Sequence, residues 1–72
     1  MKLFDSVRLR HALPDHGLQA GDVGVIMDAL NLTEPIYLVE FIDDEGRTRA
    51  LVYVEPELIE PASGNSSGDT AD

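Results

Sequence analysis

The sequence contains no cysteine, which excludes a disulfide framework and every thiolate metal centre. Basic residues are scarce: 5 Lys and Arg stand against 14 Asp and Glu, for a formal net charge of -9. A phosphate backbone rewards clustered Lys and Arg through counterion release, so this balance argues against a nucleic-acid partner. No stretch approaches the ~20 apolar residues that a membrane-crossing helix needs, so no membrane span is expected. The opening Met1-Lys2-Leu3-Phe4-Asp5 has an acid early and no apolar run behind it. A secretory leader is therefore not expected, and the expected location is cytoplasmic. At 72 residues the chain has room for one small domain and none for a cleft between two.

What charge there is falls unevenly. Lys2, Arg8, Arg10, Arg47 and Arg49 all precede Ala50, and beyond it only Glu55, Glu57, Glu60, Asp69 and Asp72 are charged. Acidic charge of this kind serves solubility, and its sharper reading is docking to a basic protein partner. Residues 61–72 (Pro61-Ala62-Ser63-Gly64-Asn65-Ser66-Ser67-Gly68-Asp69-Thr70-Ala71-Asp72) have no aliphatic side chain larger than alanine. Such a segment buries too little apolar surface to offset the entropy of ordering, so a disordered acidic Gly/Ser-rich tail is expected after a folding unit at 1–60.

Within that unit the hydrophobic period is two. Ser6-Val7-Arg8-Leu9-Arg10 alternates strictly and predicts a half-buried strand. Residues 12–21 hold Pro14, Asp15, Gly17 and Gly21, so they read as a loop, with Leu13 and Leu18 as its anchors into a core. A second strand is expected over about 23–30. Its apolar residues occupy both parities, which suggests a bulge near Gly24. Gly21 would supply a left-handed turn into that strand, and Gly24 a close approach or bend. Residues 31–35 read as a loop.

The hairpin is the clearest element. Two β-branched and aromatic segments, 36–42 and 47–54, flank Asp43-Asp44-Glu45-Gly46, whose early acids and final Gly46 suit a type I turn ending at positive φ. Pro56-Glu57-Leu58-Ile59-Glu60 suits one helical turn or a short last strand. No helix of normal length fits between Pro14, Pro35, Pro56 and Pro61. Four to five short strands in this length point to an all-β, small, partly open β-barrel.

Gly21-Asp22-Val23-Gly24-Val25-Ile26, between the Val7/Leu9 strand and Tyr37-Leu38-Val39-Glu40-Phe41, resembles the opening of SH3-like barrels of the KOW type. Phe4-Asp5-Ser6-Val7, Leu13-Pro14-Asp15-His16-Gly17-Leu18, Gly21-Asp22-Val23-Gly24 and Val39-Glu40-Phe41 resemble a family of short bacterial proteins. That family is catalogued only as a domain of unknown function. The resemblance covers most of residues 3–60, implies an SH3-like barrel, and brings no catalytic residues. The KOW parallel implies RNA or ribosome contact in some relatives, which here would fall to Arg8, Arg10, Arg47 and Arg49. The chain's charge has the wrong sign for it.

His11, Asp15 and His16 are the best candidates for chemistry, since two imidazoles and a carboxylate within six residues can bind a metal. Their spacing matches no zinc pattern, and loop histidines beside Asp and Gly are ordinarily solvated. No serine stands on a rigid element within reach of them to complete a triad. The paired acids sit on a turn tip and a solvated end. Neither an enzyme nor a cofactor is expected.

A four-residue loop at 43–46 would set Ile42 opposite Arg47, Glu40 opposite Arg49, Leu38 opposite Leu51 and Ile36 opposite Tyr53. Tyr37, Val39, Phe41, Thr48, Ala50, Val52 and Val54 would then form the core face. A three-residue loop would pair Phe41 with Arg49 and Glu40 with Ala50, burying a charge, and is disfavoured. The preferred register leaves Ile36, Leu38, Ile42, Leu51 and Tyr53 on the outer face, with Glu40, Arg47 and Arg49 around them. An apolar patch in a charged rim suits a protein interface, and equally suits a surface that the chain's own ends cover. The expected function is a non-catalytic, acidic protein-binding module: an adaptor, an inhibitor of a basic partner, or a self-associating domain.

Overall fold

The computed structural model describes residues 1–31 and 33–62. Five strands form one antiparallel sheet: β1 (Ser6–Leu9), β2 (Val23–Asn31), β3 (Pro35–Ile42), β4 (Thr48–Val54) and β5 (Ile59–Pro61). Their order is β4-β3-β2-β1-β5. Two 3-10 turns, Pro14–His16 and Pro56–Leu58, complete the described elements, and each begins on a proline. Proline suits that position because its fixed φ is helical and it has no N–H to leave unpaired. The chain thus meanders through four strands, turns once, and returns β5 to the far side of β1. This is a small SH3-like barrel, and it is partly open, because β4 and β5 end the sheet without pairing.

Period-two alternation builds the core. Val7 and Leu9 point inward from β1, Ile26 from β2, Val39 and Phe41 from β3, Val52 and Val54 from β4, and Ile59 from β5; all are buried. Leu18 joins them from the 10–22 loop, with Leu13 packed alongside. The two leucines bridge each other, N–H to carbonyl in both directions at 2.9 and 3.1 Å. They anchor the loop as expected. Arg8, between Val7 and Leu9, points outward and pairs with Glu60 of β5 at 3.1 Å.

The bulge in β2 lies between Ile26 and Asp28, three residues beyond its expected place. Gly24 is instead the close approach: a Cβ there would meet Glu40 O at 2.6 Å, Val39 Cγ1 at 2.7 Å and Phe41 Cδ1 at 3.0 Å. Only a residue without a side chain fits against β3 at this point of the ladder, opposite Phe41. The bulge accounts for the mixed parity, since the inward positions Gly24 and Ile26 resume at Ala29 rather than at Asp28. Asn31 already pairs with Pro35, so β2 and β3 both run into the loop expected over 31–35. Gly21 takes φ +94° and donates its N–H to Leu9 O at 2.8 Å, which turns the chain into β2.

β5 includes Pro61, and the Ala62 N–H donates to Ser6 O at 3.0 Å. The ordered barrel therefore runs past the expected boundary at 60. The remainder of the expected tail, residues 63–72, lies outside the described residues.

The hairpin turn corrects the expected register. Asp43 N–H donates to Arg47 O at 2.8 Å and Gly46 N–H to Asp43 O at 2.9 Å, with Gly46 at φ +80°. The loop is thus the three-residue one, Asp44-Glu45-Gly46, and Ile42 faces Thr48 rather than Arg47. A bulge then follows, so Phe41 faces Ala50, Glu40 faces Leu51, Leu38 faces Tyr53 and Tyr37 faces Val54. Arg49 is the extra residue. The objection to a three-residue loop was a buried charge, and the bulge removes it by lifting Arg49 out of the ladder. Relative to expectation β4 slides by two residues, which keeps Leu51 and Tyr53 outward and Val52 and Val54 inward. Thr48, expected inward, is exposed and outward.

Candidate functional site

The outer face of β2, β3 and β4 is built in rows. Val25, Glu40 and Leu51 lie side by side, then Asp28, Leu38 and Tyr53, then Leu30 and Ile36. Leu51 and Tyr53 are 57% and 58% exposed, whereas Ile36 and Leu38 are half-buried between their neighbours. Ile42 and Val23 continue the apolar surface toward the turn.

Nothing among the described residues lies over this face. β1 and β5 extend the sheet beyond β2 instead of folding across it. Ile59 is buried in the core and Leu58 packs against that core. Cover by either end, held open from the sequence, is excluded for the described chain.

The rim differs from the expected one. Glu40 does not meet Arg49; it accepts a hydrogen bond from Thr48 Oγ1. Arg47 folds back over its own turn to Asp43 at 3.7 Å and to Glu45. The Asp43 carboxylate is fixed there because Oδ1 accepts from the N–H groups of Glu45 and Arg47 at 2.8 and 2.9 Å. Arg49 reaches away, donating to Gly17 O at 2.8 Å and to Asp22 Oδ2 at 3.3 Å. Two carboxylates stand within the rows: Asp28 beside Leu38, and Glu40 between Val25 and Leu51.

An open cleft of about 520 Å³ lies beside the patch, lined by Gly21, Asp22, Val23, Ile42, Asp43, Asp44 and Arg49. Among the described lining residues the one cation, Arg49, is engaged by Asp22, and Asp43 and Asp44 leave the cleft acidic. His11, Asp15 and His16 are exposed, the latter two on the first 3-10 turn. They are not gathered: among the described residues no three His, Asp or Glu side chains group to hold a metal ion. No described helix is long and apolar enough to cross a membrane.

Phe4 was not singled out from the sequence. It takes φ +68° and exposes 69% of its surface, while its N–H donates to Ile26 O at 2.7 Å. A left-handed aromatic residue is uncommon, and the exposed side chains of Met1, Leu3 and Met27 accompany it. The signal available was an aromatic residue two positions before β1, outside the alternating pattern.

An SH3-like sheet with an open, largely apolar face interrupted by two carboxylates defines the class: a small all-β protein whose distinctive surface is a strand face. The chain belongs to the family described as Domain of unknown function (DUF4926), which matches residues 3–61. No curated protein and no solved structure matches it.

Proposed function

We propose that this protein is a non-catalytic binding module that presents the outer face of β3 and β4 to another protein. The observation that carries the reading is the exposure of Leu51 and Tyr53, 57% and 58%, beside Leu38 on a face that no described residue covers. Removing such a surface from water yields roughly 25 cal/mol per Å² of apolar area, offset in part by the ordering of the Leu51 and Tyr53 side chains, while the strand backbone beneath them is already fixed by the ladder. The acidic surroundings suit a partner with basic residues at its margin, or a second copy that apposes unlike charges.

The RNA alternative has less behind it. Arg8, Arg47 and Arg49 are each engaged with a carboxylate, so few cations are left to neutralise phosphates.

Leu51→Glu tests the reading. On an open strand the new carboxylate stays solvated, so the circular dichroism melt stays within a few degrees of wild type while association is lost. Val39→Glu, at a fully buried position, unfolds the domain and sets the scale. A Leu51→Glu variant that melts as early as Val39→Glu would show the face to be internal and end the proposal.

A further inference from the structure

We infer that the partner on this face is an amphipathic helix of another protein, carrying two cations one turn apart among its apolar residues. The inference rests on the docking reading above and chooses between its two partners. Two carboxylates carry it. Glu40 lies between Val25 and Leu51 in one row of the face, and in the next row Asp28 lies beside Leu38, with Tyr53 beyond. The two acids are therefore diagonal neighbours on β2 and β3, roughly 7–8 Å apart. Glu40 accepts a hydrogen bond from Thr48 Oγ1, and Asp28 Oδ1 accepts from Ala29 N–H at 2.8 Å. Among the described residues neither is in an ion pair.

An occupant that covers Leu38, Leu51 and Tyr53 also covers these two groups. A carboxylate taken out of water without a partner is costly, so the occupant must bring a cation to each. A second copy has none on its own face to give. The five strands carry two cations, Arg8 and Arg49, and both are engaged, by Glu60 and Asp22. Arg47 is likewise held by Asp43 and Glu45 in its own turn. Two copies face to face would set four carboxylates into one apolar contact.

Docking on a face sets the form of the partner. Such a segment receives no backbone hydrogen bonds from the sheet and must satisfy its own, as a helix does. Residues i and i+4 of a helix stand about 5–6 Å apart at Cβ. The long stems of Arg or Lys at those positions spread to the diagonal between Glu40 and Asp28 while lying over Leu38. Arg suits both sites, because its planar fork bonds a carboxylate in two places. Apolar residues on the same side of the helix then meet Leu51 and Tyr53.

Calorimetric titration of the full chain with two synthetic peptides tests it. The probe is a helical peptide of about 18 residues, long enough to fold in water, with a stripe of Leu and an i, i+4 pair of Arg within that stripe. Its isomer has the same composition, with the Arg pair moved to the polar side. The wild type is expected to bind the probe about tenfold more tightly than the isomer. Asp28→Asn/Glu40→Gln removes that preference. Glu55→Gln/Glu57→Gln also takes the net charge from -9 to -7 but keeps the preference, since both glutamates lie past the end of β4. Equal binding of the two peptides, equal loss in the two double variants, or no binding of the probe overturns the proposal. Binding that survives Asp28→Asn/Glu40→Gln but is lost in Leu51→Ser overturns the cation pairing and leaves the docking reading standing. A wild type that is dimeric in sedimentation equilibrium, and monomeric once Leu51→Glu is introduced, puts a second copy on the face instead and overturns the helix.

Discussion

Arg49 and Asp22, 27 residues apart in sequence, meet at 3.3 Å because a bulge in β4 takes Arg49 out of the strand ladder. The same guanidinium donates to Gly17 O at 2.8 Å. One inserted residue thus ties the hairpin to the 17–22 loop, the segment that carries Leu18 into the core. The bulge spares the sheet a buried charge and supplies a cross-link in its place.

Arg49→Ala should lower stability by about 1 kcal/mol, since Arg49 and Asp22 side chains are 38% and 27% exposed and solvent screens part of the attraction. Arg49→Lys should recover only part of the loss, because an ammonium cannot span both acceptors as the guanidinium fork does. Urea denaturation of the three proteins measures both effects. Equal stability of Ala and wild type would show the tie to be energetically silent.

Gly46→Val should destabilise by roughly 1–2 kcal/mol, the cost of a β-branched residue in the left-handed region. Gly46 stands at φ +80° with open space around it, so backbone strain is the whole effect. Gly46→Asn should lose less, as asparagine visits that region more readily. Thermal melts of the pair check the order.

Gly24→Ala should cost about 3 kcal/mol, the upper part of the range for overpacking. The nearest atom to the new methyl is a backbone carbonyl at 2.6 Å, which cannot swing aside as a side chain would. For a domain this small each kcal/mol moves the melting point by roughly 4–8 °C. A variant melting near wild type would mean that β2 and β3 separate freely.

Phe4→Gly should raise stability by about 0.5–1 kcal/mol. Relief of left-handed strain, about 1–2 kcal/mol, outweighs the added freedom of glycine in the unfolded chain. Little packing is lost, for the ring is 69% exposed. A loss of stability on denaturation would show that the ring packs more firmly than its exposure implies.

The alternation of Val7 and Leu9, and of Val39, Phe41, Val52 and Val54, settled from the sequence which side chains face the core. That partition depends only on period two and on the poor solubility of aliphatic groups. Gly46 likewise announced a positive φ, because few other residues take one at the end of a tight turn. Register was not legible in the same way. Beyond the bulge a slide of two residues leaves each β4 side chain on its own face, only Thr48 before it changing sides, so alternation could not separate Glu40 opposite Arg49 from Glu40 opposite Leu51. The tertiary structure decided it through two bulges, one past Ile26 and one at Arg49, the second of which keeps a charge out of the core. It decided, too, that β1 and β5 lie beside each other in the sheet and leave Leu51 and Tyr53 open. That choice depends on hydrogen bonds between segments some fifty residues apart, and no local pattern encodes it.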